Sequence, residues 1–184
     1  MKKNLGPVNA LYPMPIVLVG TVVDGKINYI NIAHVGIIDM NTLSISMGKV
    51  HYSNKGIKEN KTLSINLPSE DMVVEADYVG LVSGAKEDKS QVFESFFGEL
   101  KNAPMIKNAP VSMECEVIDI LNMPNHDVFI VKPKNTYCDE EVLTEGRIDL
   151  SKVKPMFFDM YQKKYWKLGE AFAKCWSIGR DFVK

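Results

Sequence analysis

Apolar and polar residues alternate over several short stretches of the chain, as they do in strands that bury one face. Leu43, Ile45 and Met47 fall on one face of such a strand, and Ser44 and Ser46 fall on the other. The same alternation predicts strands over residues 16–23, 26–38, 62–67, 111–121 and 127–132, and residues 136–142 would continue the sheet. Because Asp24-Gly25 suits a tight turn, the first two strands should form an antiparallel hairpin. The pattern therefore predicts a mainly β chain whose first strands begin a barrel.

Helical signals lie between the predicted strands. Ser53 is placed to cap a helix over residues 54–60, and Ser69 is placed to cap a helix that ends at about Leu81. Residues 91–100 predict a shorter helix, and the polar residues 144–154 predict an irregular exposed connection. Nothing typical of a linker divides these elements, so we expect a single domain over residues 1–184.

The tail over residues 154–184 is dense in aromatic side chains, which must be covered by something. Two interpretations remain open at this point. The tail covers one end of its own barrel, or it reaches a partner subunit, because contiguous exposed aromatic patches mark interfaces.

Composition excludes several classes of protein. A chain that is 46% hydrophobic and 24% charged, with a net charge of −1, favours neither a nucleic acid nor an acidic membrane as a partner. The amino-terminal apolar stretch is interrupted by glycine and prolines and is too short to span a membrane, so we expect a cytoplasmic protein. The three cysteines are widely spaced, which predicts neither a disulfide framework nor a zinc or iron–sulfur site.

The residues after the strand at 43–47 carry the candidate chemistry. Gly48, Lys49, His51, Tyr52 and Ser53 combine small residues, a fixed positive charge and hydroxyl groups at the start of a predicted helix. Such residues can hold an anion, because backbone N–H groups at a helix start also point toward it. The alternative is a sheet edge followed by an ordinary capped helix.

A longer set of motifs extends over nearly the whole chain. On these motifs the chain resembles the flavin reductase-like family of FMN-binding split barrels, and within it the small flavoproteins called flavoredoxins. The motifs are Asn31-Ile-Ala33, Ser44-Ile-Ser46, His51-Tyr52-Ser53, Ile65-Asn66-Leu67-Pro68, Asp77-Tyr78-Val79-Gly80, Ser83-Gly84, Asp88-Lys89, His126-Asp127-Val128-Phe129 and Leu168-Gly169-Glu170.

The resemblance implies a fold, a cofactor and a set of site residues. The fold would be a Greek-key antiparallel β-barrel with flanking helices, which binds FMN and forms a homodimer with the flavin near the subunit interface. Phosphate contacts would come from the cradle Ser46, Met47, Gly48, Lys49, His51, Tyr52 and Ser53, with Lys49 first, and from Lys89 as a second cation. Ring contacts would come from Ala33, His34, Val35, Asn66, Leu67, Ser83 and Gly84. His34 is a candidate catalytic proton source near flavin N5, and its alternative role is a structural hydrogen bond.

The sequence departs from the family pattern at three places. The family commonly has an aromatic residue where His34 stands, an arginine near the phosphate where this chain reads Met47-Gly48-Lys49, and a cysteine where Val79 stands. Lysine offers a point charge where arginine would offer two parallel hydrogen bonds. The dipeptide His126-Asp127 is interpreted as the exit of a turn and not as an acid–base couple, because neighbours on a strand point to opposite faces.

Three functions remain open from the sequence. In the first, NAD(P)H reduces a bound flavin that passes the electrons to an acceptor. In the second, the protein is an electron carrier whose FMN exchanges electrons with protein partners. In the third, the split barrel has lost its flavin and serves as a binding module. Motifs for dinucleotide-fold dehydrogenases, nucleotide hydrolases, serine hydrolases and metalloproteases are absent from the sequence.

Overall fold

The structure is a computed structural model that describes residues 1–182, so the last two residues of the predicted tail lie outside the described part. The strands in chain order are β1 (Met14–Pro15), β2 (Val17–Val23), β3 (Lys26–Ile32), β4 (Val35–Asp39), β5 (Thr42–Gly48), β6 (Thr62–Leu67), β7 (Ser95–Phe96), β8 (Met105–Ile106), β9 (Val111–Asn122), β10 (His126–Cys138), β11 (Leu143–Thr144), β12 (Arg147–Ile148), β13 (Met156–Asp159) and β14 (Lys164–Lys167). The α-helices are α1 (Ser53–Asn60), α2 (Val73–Leu81) and α3 (Leu150–Val153), and single 3-10 turns span Glu70–Met72, Glu140–Val142 and Ile178–Asp181.

Seven antiparallel strands form the main sheet in the order β3-β2-β6-β9-β10-β5-β4. Strands β3 and β4 lie at opposite ends of this order, yet only Ala33 and His34 separate them along the chain. The sheet therefore curls until its two ends meet, and the backbone N–H of Ser46 donates to the carbonyl of His34 at 2.8 Å, which extends the β4–β5 pairing to the crossover. This arrangement confirms the predicted mainly β barrel with flanking helices.

The barrel is filled by the inward side chains of its strands. Ile45, Met47 and Phe129 are fully buried there together with Ile57 of α1, which covers one end of the barrel. A second apolar layer lies outside β2 and β3, where Tyr29 and Leu18 pack against α2 and the segment that contains β7 and β8. Burial of one sheet face inside the barrel and part of the other under this layer provides the main hydrophobic stabilisation.

Several local predictions are confirmed. The Asp24-Gly25 turn has positive φ at both residues and joins β2 and β3 in antiparallel register. Strand β6 has the predicted limits, and β9 and β10 pair as predicted. Strand β10 is longer than expected because a register shift near Pro133 lets the ladder continue to Cys138.

Other local predictions are wrong. Residues 26–38 do not form one strand, since the chain leaves β3 at one edge and enters β4 at the other. Residues 91–100 do not form a helix, because Glu114 binds the backbone N–H groups of Glu99 and Leu100 in an irregular loop. Helix α1 begins at Ser53 without a side-chain cap, and the side chain of Ser69 caps no helix.

The polar connection at 144–154 also differs from the prediction. It contains the hairpin of β11 and β12 and the short helix α3, which Asp149 caps by accepting from the backbone N–H of Ser151 at 2.9 Å. Within residues 1–182, none of the helices is long and apolar enough to cross a membrane.

Candidate functional site

A cleft of about 570 Å³ opens where β3 leads into β4. Ala33 and His34 line it from that crossover, and Ser46, Gly48 and His51 line it from the end of β5 and the loop that follows. These five residues were predicted to contact the cofactor. The closure of the barrel therefore brings together two segments of the predicted site that are more than ten residues apart in the sequence.

A smaller cavity of about 220 Å³ adjoins this cleft. Tyr52 and Ser53 line it from the start of α1, and Ser83, Gly84 and Lys89 line it from the loop after α2. His51 lines both cavities, as do Gly80 and Leu81 of α2, so the two spaces adjoin at these residues. Tyr52, Ser53, Ser83 and Lys89, predicted for their hydroxyl groups or positive charge or as ring contacts, thus gather around the smaller space.

Lys89 is almost fully buried at the smaller cavity. Its ammonium group donates to the carbonyl of Val79 at 2.9 Å and to that of Val82 at 3.1 Å, at the carboxyl end of α2. Burial lowers the pKa of Lys89 to about 8, because a charged ammonium is poorly solvated there. Among the described residues no carboxylate forms an ion pair with it.

His51 stands at the junction of the two cavities. Its Nδ1 atom is buried and has no hydrogen-bond partner within residues 1–182. Burial holds the pKa of His51 below its ordinary value, and the positive charges that His126 and Lys89 can carry add to this lowering. A buried ring nitrogen without a hydrogen-bond partner is unusual in a folded protein.

All three histidines of the chain line the larger cleft. The rings of His34 and His126 lie with their centroids 5.9 Å apart. His126 is not among the residues predicted for the site, although its register opposite Gly48 follows from the pairing of β10 with β5. Asp127 points away from the cleft, as predicted, and its buried carboxylate forms an ion pair with the half-exposed Lys58 at 2.6 Å.

Sequence reasoning also missed the wall of the cleft that comes from α2 and the β13–β14 hairpin. Tyr165 donates to a carboxylate oxygen of Asp77 at 2.6 Å and accepts from the side-chain amide of Asn31 at 3.4 Å. Burial and the Asp77 carboxylate raise the pKa of Tyr165. Asp77 and Asn31 belong to quoted motifs, but Tyr165 lies 88 residues beyond Asp77, and no local signal joins them.

Five predicted contact residues lie outside both cavities. Lys49, expected as the first phosphate cation, is exposed and donates to the side-chain amide oxygen of Asn122. Met47, Val35 and Leu67 pack with the apolar side chains of the barrel core, because they alternate with residues on the opposite face. Their expected contact with a cofactor has no support in this geometry.

Asn66, the fifth of these residues, is fully buried in a hydrogen-bond network. It donates to the carbonyl of Leu18 at 2.9 Å, and it accepts from the backbone N–H of Ile106 at 2.9 Å and from the hydroxyl of Ser112 at 2.8 Å. Its amide thus joins β2, β6, β8 and β9. The expectation that Asn66 contacts a flavin ring is corrected accordingly.

The residues around the cavities fit a phosphorylated ring compound such as FMN. The larger cavity lies in the size range of sites for small ligands and cofactors, and the smaller cavity adjoins it. A Cβ at Gly84 would overlap Asn28 Oδ1, so the smaller cavity depends on a residue without a side chain. Cationic and hydroxyl groups surround the smaller cavity, whereas Ile16, Leu81 and Phe158 give the larger one apolar walls.

Comparison with known proteins assigns the fold to a family. Residues 9–165 match the family model described as flavin reductase like domain. The chain therefore belongs to the flavin reductase-like family.

Two solved structures are similar over almost the entire chain. The flavoredoxin from Methanosarcina acetivorans is 37% identical, with a TM-score of 0.95 and 98% of each chain covered. The flavoredoxin of Desulfovibrio vulgaris (Miyazaki F) is 34% identical, with a TM-score of 0.90 and coverage of 97% of this chain and 100% of that one. The resemblance found in the sequence is thus confirmed at the level of the family and of the fold.

More distant relatives match over a shorter length. An uncharacterized protein of Aeropyrum pernix is 24% identical over 119 residues, which is 63% of this chain and 45% of that protein. The chain spans about half the length of the curated relatives that it matches.

Proposed function

We propose that this protein is an FMN-binding oxidoreductase of the flavin reductase and flavoredoxin type. The smaller cavity would hold the phosphate of FMN, and the larger cleft would hold the flavin ring. The observation that carries the proposal is the buried ammonium group of Lys89, which lines the smaller cavity and has no acidic partner among the described residues.

A phosphate in the smaller cavity would give Lys89 the counter-ion that the fold does not provide. Burial of an unpaired charge is costly, and a dianion placed beside it offsets that cost. The hydroxyl of Ser53 accepts from the side-chain amide of Asn28 at 2.7 Å, so its own hydrogen can be donated to a phosphate oxygen. Ser83 and the backbone amides at the start of α1 complete the set of donors.

The crossover of Ala33 and His34 would lie along the polar edge of the flavin ring. Small residues let backbone N–H groups approach a ring, where they stabilise the negative charge that develops on reduction. The apolar walls of the cleft, which include Ile16, Leu81 and Phe158, would pack against the dimethylbenzene side. This placement agrees with the predicted roles of Ala33 and His34.

FMN, when bound, supplies hydride and electron chemistry at its N5 atom. The chain orients the ring and supplies proton carriers beside it. His34 and His126 both line the cleft, and the imidazole side chain often serves as a proton carrier in catalysis. His34 is therefore the proposed catalytic proton source, with His126 beside it as a second imidazole.

The electron donor in this proposal is NAD(P)H or a redox protein, and the working unit is a homodimer. The larger cleft is open to solvent, which leaves a path for either donor. A cytoplasmic location is part of the proposal, because Cys115, Cys138 and Cys175 are all free thiols, as is usual in a reducing compartment.

The first test is the visible spectrum of the purified protein, followed by identification of the released chromophore. The proposal expects a yellow protein that releases FMN. Colourless protein that also leaves the fluorescence of added FMN unquenched would contradict it and would favour the binding module without flavin.

A second measurement separates the two redox roles. The flavin absorbance is followed after rapid mixing with NADH or NADPH in the absence of oxygen. Bleaching within seconds supports a reductase that takes hydride from the nicotinamide. Absence of bleaching, combined with reduction by dithionite, assigns the protein to the electron carriers.

A further inference from the structure

The segment after β14 carries large apolar side chains that its own domain does not cover. We call residues 168–182 the arm. Phe172 is 100% exposed, Trp176 is 95% exposed and Phe182 is 77% exposed, and Ile178 between them is exposed as well. Isolated exposed apolar residues are ordinary on a protein surface. Four of them within eleven residues form an exposed apolar segment of the kind that marks an interaction site.

The arm stands apart from the body of its own chain. Its described hydrogen bonds are internal, from the N–H groups of Ile178, Arg180 and Phe182 to carbonyl groups within the same segment. The first residues of the arm, Leu168 to Ala173, face α3 across an open space of about 760 Å³. Packing against its own helix α3 therefore does not explain why the arm is apolar.

The same chain carries a second surface with large apolar side chains. Ile45 and Phe129 point into the barrel, so the alternating residues of β5 and β10 point outward. We call the outward side of β4, β5, β10 and β9 the outer wall. Cross-strand pairing aligns Leu121, Val128 and Ser46 in one row, and it aligns Asp119, Ile130, Ser44 and Gly36 in the next.

The outer wall suits a partner with large side chains. Three of its central positions are serine or glycine, which leave shallow gaps between Val128, Ile130 and the exposed Leu121. Ser46 lies on the wall and also lines the larger cleft. Anything that covers this wall therefore borders the proposed flavin site.

The area of the arm matches what a stable dimer requires. An aromatic side chain buries about 150–250 Å², so Phe172, Trp176 and Phe182 together offer about 600 Å² per arm. Two arms and the two surfaces that they cover then exceed about 1,200 Å², the lower limit for specific interfaces. Mutual exchange of two identical arms closes with two-fold symmetry and leaves no arm unpaired.

We propose that the arm of each subunit lies on the outer wall of a second copy, where it holds the dimer together and borders the partner's flavin cleft. This inference rests on the homodimer in the proposed function and names the segment that forms it. The occupant of the outer wall is the Phe172–Trp176 part of the partner's arm.

The test uses the full chain with substitutions at both sides of the contact. Phe172→Ser with Trp176→Ser alters the arm, and Leu121→Asp alters the outer wall. Val74→Ser is the control, because Val74 is an exposed apolar residue of α2, which belongs to neither the arm nor the outer wall. Sedimentation velocity over a range of concentrations gives the dimer dissociation constant, and circular dichroism verifies the fold of each variant.

We expect the dissociation constant of the dimer to rise at least tenfold in the arm variant and in the wall variant, and to stay unchanged in the control. A mixture of the two variants should form a heterodimer more tightly than either variant forms its own dimer. The reason is that such a heterodimer keeps one intact arm and one intact outer wall in contact.

Three results would overturn this inference in distinguishable ways. If the wild-type chain stays monomeric at all concentrations, the proposed homodimer is refuted, whereas FMN binding can still hold. If the wild-type chain is a dimer that neither variant weakens, only the role of the arm is refuted. If both variants weaken the dimer but their mixture forms no tighter heterodimer, the arm packs on the outer wall of its own chain.

Discussion

Replacement of Lys89 by methionine tests whether this residue binds the phosphate of FMN. Methionine keeps the length of the apolar stem and removes the ammonium group, which in the protein contacts the carbonyl groups of Val79 and Val82. A hydrogen bond from a charged donor contributes about 1.5–3 kcal/mol when its partner is buried. Loss of that contact to a phosphate should raise the dissociation constant for FMN by about 10- to 150-fold.

The stability of the protein without ligand is affected in two opposite ways. Burial lowers the pKa of Lys89 from 10.5 to about 8, which corresponds to about 3 kcal/mol of bias against the ammonium form. Methionine removes this cost and also removes two hydrogen bonds from the charged donor to carbonyl groups, each of which contributes about 1.5–3 kcal/mol. Because the two changes oppose each other, we expect the free energy of unfolding to fall by about 3 kcal/mol at most.

Titration of FMN and riboflavin by fluorescence quenching measures the effect. Riboflavin lacks the phosphate, so Lys89→Met should weaken FMN and leave riboflavin unchanged. Lys86→Met in the same loop is the matched control, because Lys86 is exposed. Equal weakening of both flavins, or unchanged FMN affinity, would refute the assignment of the phosphate to the smaller cavity.

The pH dependence of FMN affinity in the wild-type protein is a second test of the Lys89 ammonium group. A bound phosphate raises the pKa of Lys89 above its value of about 8 in the free protein, so binding favours the ammonium form. FMN affinity should therefore fall as the pH rises above about 8. The methionine variant should show no such fall.

Three other substitutions test the remaining parts of the structure. Gly84→Ala places a Cβ against Asn28 Oδ1, so FMN affinity should fall at least about tenfold, and unchanged affinity in a titration would argue against a tight fit. Asn66→Ala should lower the free energy of unfolding by about 3 kcal/mol through unpaired buried groups, measured in urea, with the FMN dissociation constant unchanged. Glu114→Gln should cost about 2 kcal/mol of unfolding free energy, because the buried carboxylate binds Asn135, Tyr137 and two backbone amides.

The Glu114 substitution should also change how stability depends on pH. Burial alone would raise the pKa of Glu114, but its hydrogen bonds outweigh burial and hold the pKa below 4.5. The Glu114 carboxylate thus contributes fully to the free energy of unfolding above about pH 4.5. This contribution is lost as the pH falls through the lowered pKa of Glu114. Urea midpoints between pH 3 and pH 6 should fall less steeply in the glutamine variant than in the wild-type protein.

The sequence predicts most of the strands because the inward and outward positions of a barrel strand have different polarity. It does not reveal where residues 26–38 break, since apolar residues continue on both sides of Ala33 and His34. The break follows from closure, which moves the chain from one edge of the sheet to the other. Closure of the barrel depends on all seven strands of the sheet, so it cannot be predicted from a short stretch of sequence.

The two lysines show why local chemistry alone cannot rank the candidate phosphate cations. Lys49 follows a strand and precedes a helix, so by sequence it is the better placed of the two. In the fold it is exposed beside Asn122, and Lys89 is the lysine that α2 and the following loop bury. Burial strengthens an electrostatic contact because water no longer screens it, so the tertiary structure decides which lysine can bind an anion strongly.

Asn66 shows that the tertiary structure also decides whether a residue of a strand is buried. The alternation of Leu63, Ile65 and Leu67 correctly places Asn66 on the outer face of β6. An outer position in a barrel is exposed only if nothing covers it, and here β8 and its flanking loops lie over β6. The periodicity of a strand therefore tells which residues share a face, whereas the second layer of the fold decides whether that face is core, cleft or surface. The outer wall of β5 and β10 is the corresponding face without such a layer, and a partner's arm would provide it.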